Sequence, residues 1–203
     1  HVTFHADDNF APYTFVNPEG KVDGVIADLV RAIADSAGLE IEMIPKAFKE
    51  MVKVQKSPGL YGYVNFDYHF SEAPDAFLGI ESPFTPMQAL FTPKPQQFTA
   101  KTLQEIKDKR ILLYEGINPT DFGFPETGNE YIPVREPEQA FAMLLNDQAD
   151  GYFDNFAYVQ WHMRKQFITG LSSLYLTTRF PDPMLAVFKD YPELHGILKK
   201  AYR

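Results

Sequence analysis

The chain has 203 residues, with 27 acidic against 19 basic side chains and a formal net charge of -8. Hydrophobic residues make up 45% and charged residues 23%, a balance that excludes a disordered chain, and an acidic excess with no Lys/Arg cluster argues against a nucleic-acid partner. There is no cysteine for a disulfide or a thiolate metal site.

In chain order, Val2 to Ala6 is a short apolar strand, and an aromatic and acidic loop, Asp7 to Phe15, follows it. Asn17-Pro18-Glu19-Gly20 is a turn. From Gly24 to Gly38 apolar residues recur at Val25, Ile26, Leu29, Val30, Ile33 and Ala37, a helical spacing that stops at Gly38. Ile41, Met43 and Ile44 form the next strand, so the opening stretch is a βαβ unit. After the Pro-rich passage Thr92 to Gln96 a second such stretch begins. Thr102 is placed to cap a short helix carrying Leu103 and Ile106, and Arg110 to Tyr114 is a strand ending at the turn Glu115 to Pro119. Tyr131 to Val134 is a strand. Pro137 to Asn146 is a helix with Ala140, Phe141, Leu144 and Leu145 inward, Tyr152-Phe153 is a short buried strand, and Asn155 to Gln166 is another helix, with Phe156, Tyr158 and Trp161 expected in the core. Strands alternating with helices predict an α/β fold whose mostly parallel sheets are covered on both faces.

No apolar run approaches the roughly 20 residues of a membrane-spanning helix, and the amino terminus has no signal-peptide core. An exported protein would therefore be present here in mature form. There is no Gly-rich phosphate loop, nucleophile elbow or metal-ligand spacing among His5, His69 and His162, so no cofactor or metal is expected.

Asp7, Phe10, Pro12, Tyr13 and Phe15, the turn Pro18-Glu19-Gly20-Lys21, then Gly24, Asp28, Leu29 and Ala32-Ile33-Ala34 stand in the order and spacing of a known family. The stretch resembles the amino terminus of the type 2 periplasmic solute-binding proteins, the bacterial family 3 that includes amino-acid receptors of ABC importers. The resemblance implies two α/β lobes joined by two crossing strands, with residues 1–91 and 183–203 in lobe one and 92–182 in lobe two. The outbound crossing would be Gln88 to Thr92, and the return would lie near Thr177 to Pro183. Met184 to Lys189 and a helix from Pro192 would rejoin lobe one.

By the same resemblance a ligand would lie in the crevice at the carboxyl ends of the strands. Phe10 and Phe48 would stack on it, and Asp154 would hold its ammonium group. Asn118 and Thr120 would bond its carboxylate, with Asp7 at the rim. Structural readings stand beside these roles. Asp154 and Asn118 each precede a helical start and are placed as N-caps, the aromatic residues of the first loop suit a core, and Asp7-Asp8-Asn9 suits an Asx turn.

The chain departs from the family at one point of consequence. Where amino-acid receptors carry Thr-Pro-Glu-Arg, whose arginine clamps the ligand carboxylate with paired charge-assisted hydrogen bonds, this sequence has Phe70-Ser71-Glu72-Ala73-Pro74. The positions just before it are Phe66-Asp67-Tyr68-His69, which add Asp67 and His69 to the expected site. Asp7, Asp67 and Asp154 without that arginine would repel a free carboxylate. The expected ligand is neutral or cationic rather than a standard α-amino acid, with Arg179 as the alternative source of a clamp.

Three functions are thus open. The leading one is a non-catalytic periplasmic or extracellular receptor that closes on a small molecule and is read by the membrane subunits of an ABC importer. The second is a covalently linked sensor domain of a membrane histidine kinase or cyclic-dinucleotide enzyme. The third is a dehydratase-like enzyme on the same scaffold, with Asp67 or His69 moving the proton; its carboxylate substrates would need the clamp that is missing.

Overall fold

The computed structural model describes residues 1–67, 71–178 and 183–203. His69 and Arg179, Phe70, and part of the expected return crossing lie outside the described residues. The described chain runs β1 (Val2–Asp7), β2 (Asn9–Phe10), β3 (Thr14–Val16), β4 (Val22–Asp23), α1 (Val25–Ser36), β5 (Ile41–Lys46), α2 (Phe48–Met51), β6 (Leu60–Val64) and β7 (Phe77–Glu81). It continues through β8 (Met87–Thr92), β9 (Arg110–Tyr114), β10 (Glu130–Val134), α3 (Pro137–Leu145), β11 (Gly151–Asn155), α4 (Phe156–Lys165), β12 (Ser172–Thr178), β13 (Pro183–Phe188) and α5 (Pro192–Ala201). It divides into two units, His1–Thr85 with Phe180–Arg203, and Pro86–Arg179.

In the first unit the sheet order is β5-β1-β6-β13-β7. β5, β1 and β6 are parallel, and β13 runs antiparallel to both β6 and β7, so one strand is reversed among five. The apolar stripe of α1, Ile26, Ala27, Val30 and Ile33, packs with Leu198 of α5 on Phe4, Val64, Leu185 and Val187 of one face. On the other face Met51 of α2 joins Tyr63, Phe66, Phe77 and Phe188. The Phe77 and Phe188 rings stack at 5.0 Å, and Tyr63 meets Phe66 edge-on at 5.0 Å.

Two glycines are dictated by close approach. At Gly24, which opens α1 with φ 117°, a Cβ would lie 2.4 Å from the Tyr13 carbonyl oxygen. At Gly62, in the middle of β6, it would lie 2.0 Å from the Ala186 carbonyl oxygen of β13. That glycine breaks the strand pattern of Leu60 to Val64 in the sequence, where only backbone proximity from a distant segment explains it.

The second unit repeats the pattern with order β10-β9-β11-β8-β12. β10, β9 and β11 are parallel, and β8 runs antiparallel to β11 and β12. One face buries Leu90, Leu103, Ile106, Ile111, Leu113, Phe124 and Phe153. Ala140, Phe141 and Leu144 of α3 and Tyr158 and Val159 of α4 are buried with Tyr152 and Leu112. β12 pairs with β8 through a register shift between Leu174 and Thr177.

Three local expectations are corrected. Thr102 precedes the short 3-10 turn Leu103–Glu105 but makes no side-chain cap; instead the Glu105 carboxylate accepts the Lys101 N–H at 2.9 Å. Leu145 is 55% exposed, because α3 ends there and its chain turns away through Asn146 and Asp147. Trp161 is 41% exposed, because the face of α4 that packs inward carries Tyr158, Val159, His162 and Met163.

Candidate functional site

In the first unit the parallel strands β5, β1 and β6 bring their carboxyl ends side by side, with Asp7 level with Lys46 and Ala6 level with Val64. Asp7 is the last residue of β1 and is 7% exposed. Its Oδ1 accepts the Asn9 N–H at 3.1 Å, so the Asx turn is present as well as the carboxylate. Burial raises its pKa from 3.8 to about 7; the Asn9 bond works against that rise and the neighbouring Asp8 adds to it. β2 follows directly and carries half-buried Phe10, whose ring stacks on Tyr13 at 5.2 Å. Phe48 opens α2 just past the end of β5 and lies 6.0 Å from the Phe66 ring. Asp67 follows β6 and is half-buried. Between them Asn65, at φ 52°, donates from Nδ2 to Thr14 Oγ1 at 3.0 Å and so ties the end of β6 to the aromatic loop.

The second unit gathers its own set at the carboxyl ends of β9 and β11. Asn118 is exposed and caps the 3-10 turn Pro119–Phe122, its Oδ1 accepting from the Thr120 N–H at 3.2 Å and from Thr120 Oγ1 at 3.0 Å. Asp154, half-buried, stands one residue before the end of β11. The cap of α4 is Asn155 and not Asp154, since Asn155 Oδ1 accepts the Tyr158 N–H at 3.1 Å. Asp154 is thereby left for other work. Its Oδ1 accepts the Asn155 N–H at 2.6 Å and its Oδ2 accepts the Tyr152 hydroxyl. Burial raises the Asp154 pKa from 3.8 to about 6, against the pull of those two donors. Arg135, just past β10, forms a bidentate ion pair with Glu115, just past β9, at 2.6 and 3.1 Å.

Sequence reasoning overlooked Tyr152 and Asn155. The i, i+2 spacing of Tyr152 and Asp154 on a strand puts both on one face, which was available in the sequence. That Asn155 is buried, with its Nδ2 making no hydrogen bond, was not. Among the described residues no three His, Asp or Glu side chains are grouped to hold a metal ion, and no helix is long and apolar enough to cross a membrane. Each unit thus offers a carboxylate with a raised pKa at the carboxyl end of a parallel strand, buried at Asp7 and half-buried at Asp154. Such a group loses its raised pKa when a cation sits beside it, so it binds cations in competition with protons.

Residues 2–58 match the model of the bacterial extracellular solute-binding proteins, family 3. No curated protein matches the sequence at a significant level. Among solved structures, an ancestral arginine-binding protein bound to arginine is similar with a TM-score of 0.75 and 20% identity, over 99% of this chain and 90% of that one. A histidine kinase sensor domain with similarity to periplasmic binding proteins matches with a TM-score of 0.76 and 20% identity, over 99% and 88%. The substrate-binding protein of an ABC uptake transporter from Streptococcus pneumoniae, with bound histidine, matches with a TM-score of 0.75 and 18% identity, over 99% and 85%. The chain therefore has the two-unit α/β fold of the periplasmic solute-binding proteins, and its residues 2–58 resemble family 3 of those proteins in sequence.

Proposed function

We propose that this chain is an extracytoplasmic receptor for a neutral or cationic small molecule other than a standard α-amino acid and serves an ABC importer as its substrate-binding component. Phe10 and Phe48 stack on the ligand, Asp7 and Asp154 meet its positive charge, and Asn118, Thr120, Asp67 and His69 complete its polar contacts. The observation that carries this reading is the pair of carboxylates with raised pKa, buried Asp7 and half-buried Asp154, at the carboxyl ends of β1 and β11, while Pro74 opens a short 3-10 turn where the resemblance puts the clamping arginine. The similar structures bound to arginine and histidine support a site able to take a cationic group.

Calorimetric titration with arginine, glutamine and agmatine, which is arginine without its carboxylate, tests the ligand class. Agmatine is expected to bind at least as tightly as arginine and glutamine not at all. Tight binding of glutamine, or of arginine in a manner that survives Arg179→Ala while agmatine fails, would refute it. Mass analysis of the ligand recovered after incubation is expected to find it unchanged, as a receptor requires and a dehydratase does not.

The match to the histidine kinase sensor domain favours a second reading, in which the same ligand-bound form is read by a membrane enzyme on the same polypeptide. A membrane-spanning segment following this stretch in the complete gene product would select the sensor over the importer component.

A further inference from the structure

We propose that Tyr152 is a positioning residue for ligand binding, its buried hydroxyl fixing the carboxylate of Asp154 in one orientation. This rests on Asp154 serving as a ligand carboxylate.

β11 alternates its side chains, so Tyr152 and Asp154 leave the strand on one face while Phe153 enters the opposite core. The Tyr152 side chain is 1% exposed, with its ring edge-on to Phe141 of α3 at 6.4 Å. Packing on all sides restrains the ring, and its hydroxyl donates to Asp154 Oδ2. The Asn155 N–H fixes the other oxygen at 2.6 Å. With one donor on each oxygen the carboxylate plane is set, and one lone pair on each oxygen is left for a ligand. Loss of the hydroxyl frees the carboxylate to turn about its last bond and removes a donor that favours its ionised form.

The ionisation consequence separates positioning from mere packing. Tyr152 opposes the burial that raises Asp154, so without the hydroxyl Asp154 holds its proton to higher pH. A cationic ligand then meets a neutral acid over a wider pH range.

Tyr152→Phe keeps the ring and removes only the donor. The side-chain carboxyl carbon of Asp154, followed by NMR through a pH titration of the ligand-free protein, is expected to titrate about one pH unit higher in the variant. Agmatine affinity is expected to fall about twofold at pH 7 and about tenfold at pH 5, where the carboxylate is mostly protonated in both proteins, and to recover above pH 8. Tyr63→Phe supplies the control, since Tyr63 is another buried tyrosine whose hydroxyl donates to the Gln55 carbonyl at 3.4 Å; it should leave the Asp154 titration and the agmatine affinity where they are. An unmoved Asp154 titration in Tyr152→Phe overturns the positioning role. A moved titration with wild-type agmatine binding also overturns it. Equal agmatine binding by wild type and Asp154→Asn is a different failure, that of Asp154 as a ligand group, and removes the basis of the proposal with it.

Discussion

Replacing Asp7 by asparagine should remove a pH-dependent loss of stability that the wild-type protein carries. In the unfolded chain Asp7 releases its proton near 3.8, and in the fold it does so near 7 because burial disfavours the charge. Between those values the folded state binds more protons than the unfolded state, so stability falls as pH rises, and the loss is complete just above the folded pKa. The span from 3.8 to about 7, at about 1.36 kcal/mol per pH unit, amounts to about 4 kcal/mol. At 7% exposure little solvent screening reduces it. The asparagine side chain of Asp7→Asn would keep an oxygen for the Asn9 N–H, so the turn survives the substitution. His5 contributes with the opposite sign, because burial lowers its pKa and stability rises with pH through that window. That contribution is common to both proteins and cancels in the comparison. Scanning calorimetry of the ligand-free proteins between pH 4 and pH 8 is expected to show the variant gaining on the wild type by up to about 4 kcal/mol, most of it between pH 5 and 7.5. Parallel stability profiles for the two proteins would refute the buried-carboxylate argument for Asp7.

Gly62→Ala should cost at least about 3 kcal/mol, read as a lowered urea midpoint, since its Cβ meets a carbonyl oxygen of the paired strand; a wild-type midpoint would contradict the register of β6 on β13. Phe167→Gly should stabilise by about 1 kcal/mol and raise Tm by about 2 to 4 °C, because Phe167 is 90% exposed at φ 56° in the C-terminal turn of α4. The closing bonds of that turn, Phe167 N–H to Arg164 and Ile168 N–H to Met163, are backbone only and persist; a drop in Tm would show that the phenyl ring has a packing role. Phe10→Ala should weaken agmatine binding by about three- to thirtyfold with a small change in Tm, the span of a cation held over an aromatic ring. Unchanged affinity would remove Phe10 from the ligand's surroundings.

The helical stripe of α1, its stop at Gly38 and the strand Arg110–Tyr114 were legible because each is decided within a few residues, by periodicity and by one residue able to close the helix. α1 ends with Gly38 at φ 67° and with the Leu39 N–H bonded to the Ala34 carbonyl at 2.9 Å, a closure that glycine permits without strain. β6, β7 and β12 were not legible. Gly62 and Gly79 interrupt the first two, and Ser172–Thr178 is a mostly polar strand whose ladder depends on β8, a segment far away in sequence. Leu145 and Trp161 were assigned inward by helical spacing, but spacing places residues around an axis and does not say how wide a face the neighbours cover.

The candidate site divides in the same way. The resemblance to family 3 singled out Asp7, Phe10, Phe48, Asn118 and Asp154, while turn chemistry by itself offered structural roles for Asp7, Asn118 and Asp154. Which neighbouring side chain caps α4, and which is left with its carboxylate available, depended on the backbone path at the end of β11, where Asn155 takes the cap. The tertiary structure also decided that Asp7 and Asp154 are carboxylates with pKa values of about 7 and about 6, since desolvation comes from the atoms of distant segments packed around them. The sequence by itself determined the helices α1, α3 and α4, the strands β1, β5, β9, β10 and β11, and the positions of the acidic and aromatic residues. Packing determined their charge state, because an ionisation equilibrium responds to the surrounding dielectric and donors, which no local pattern of residues specifies.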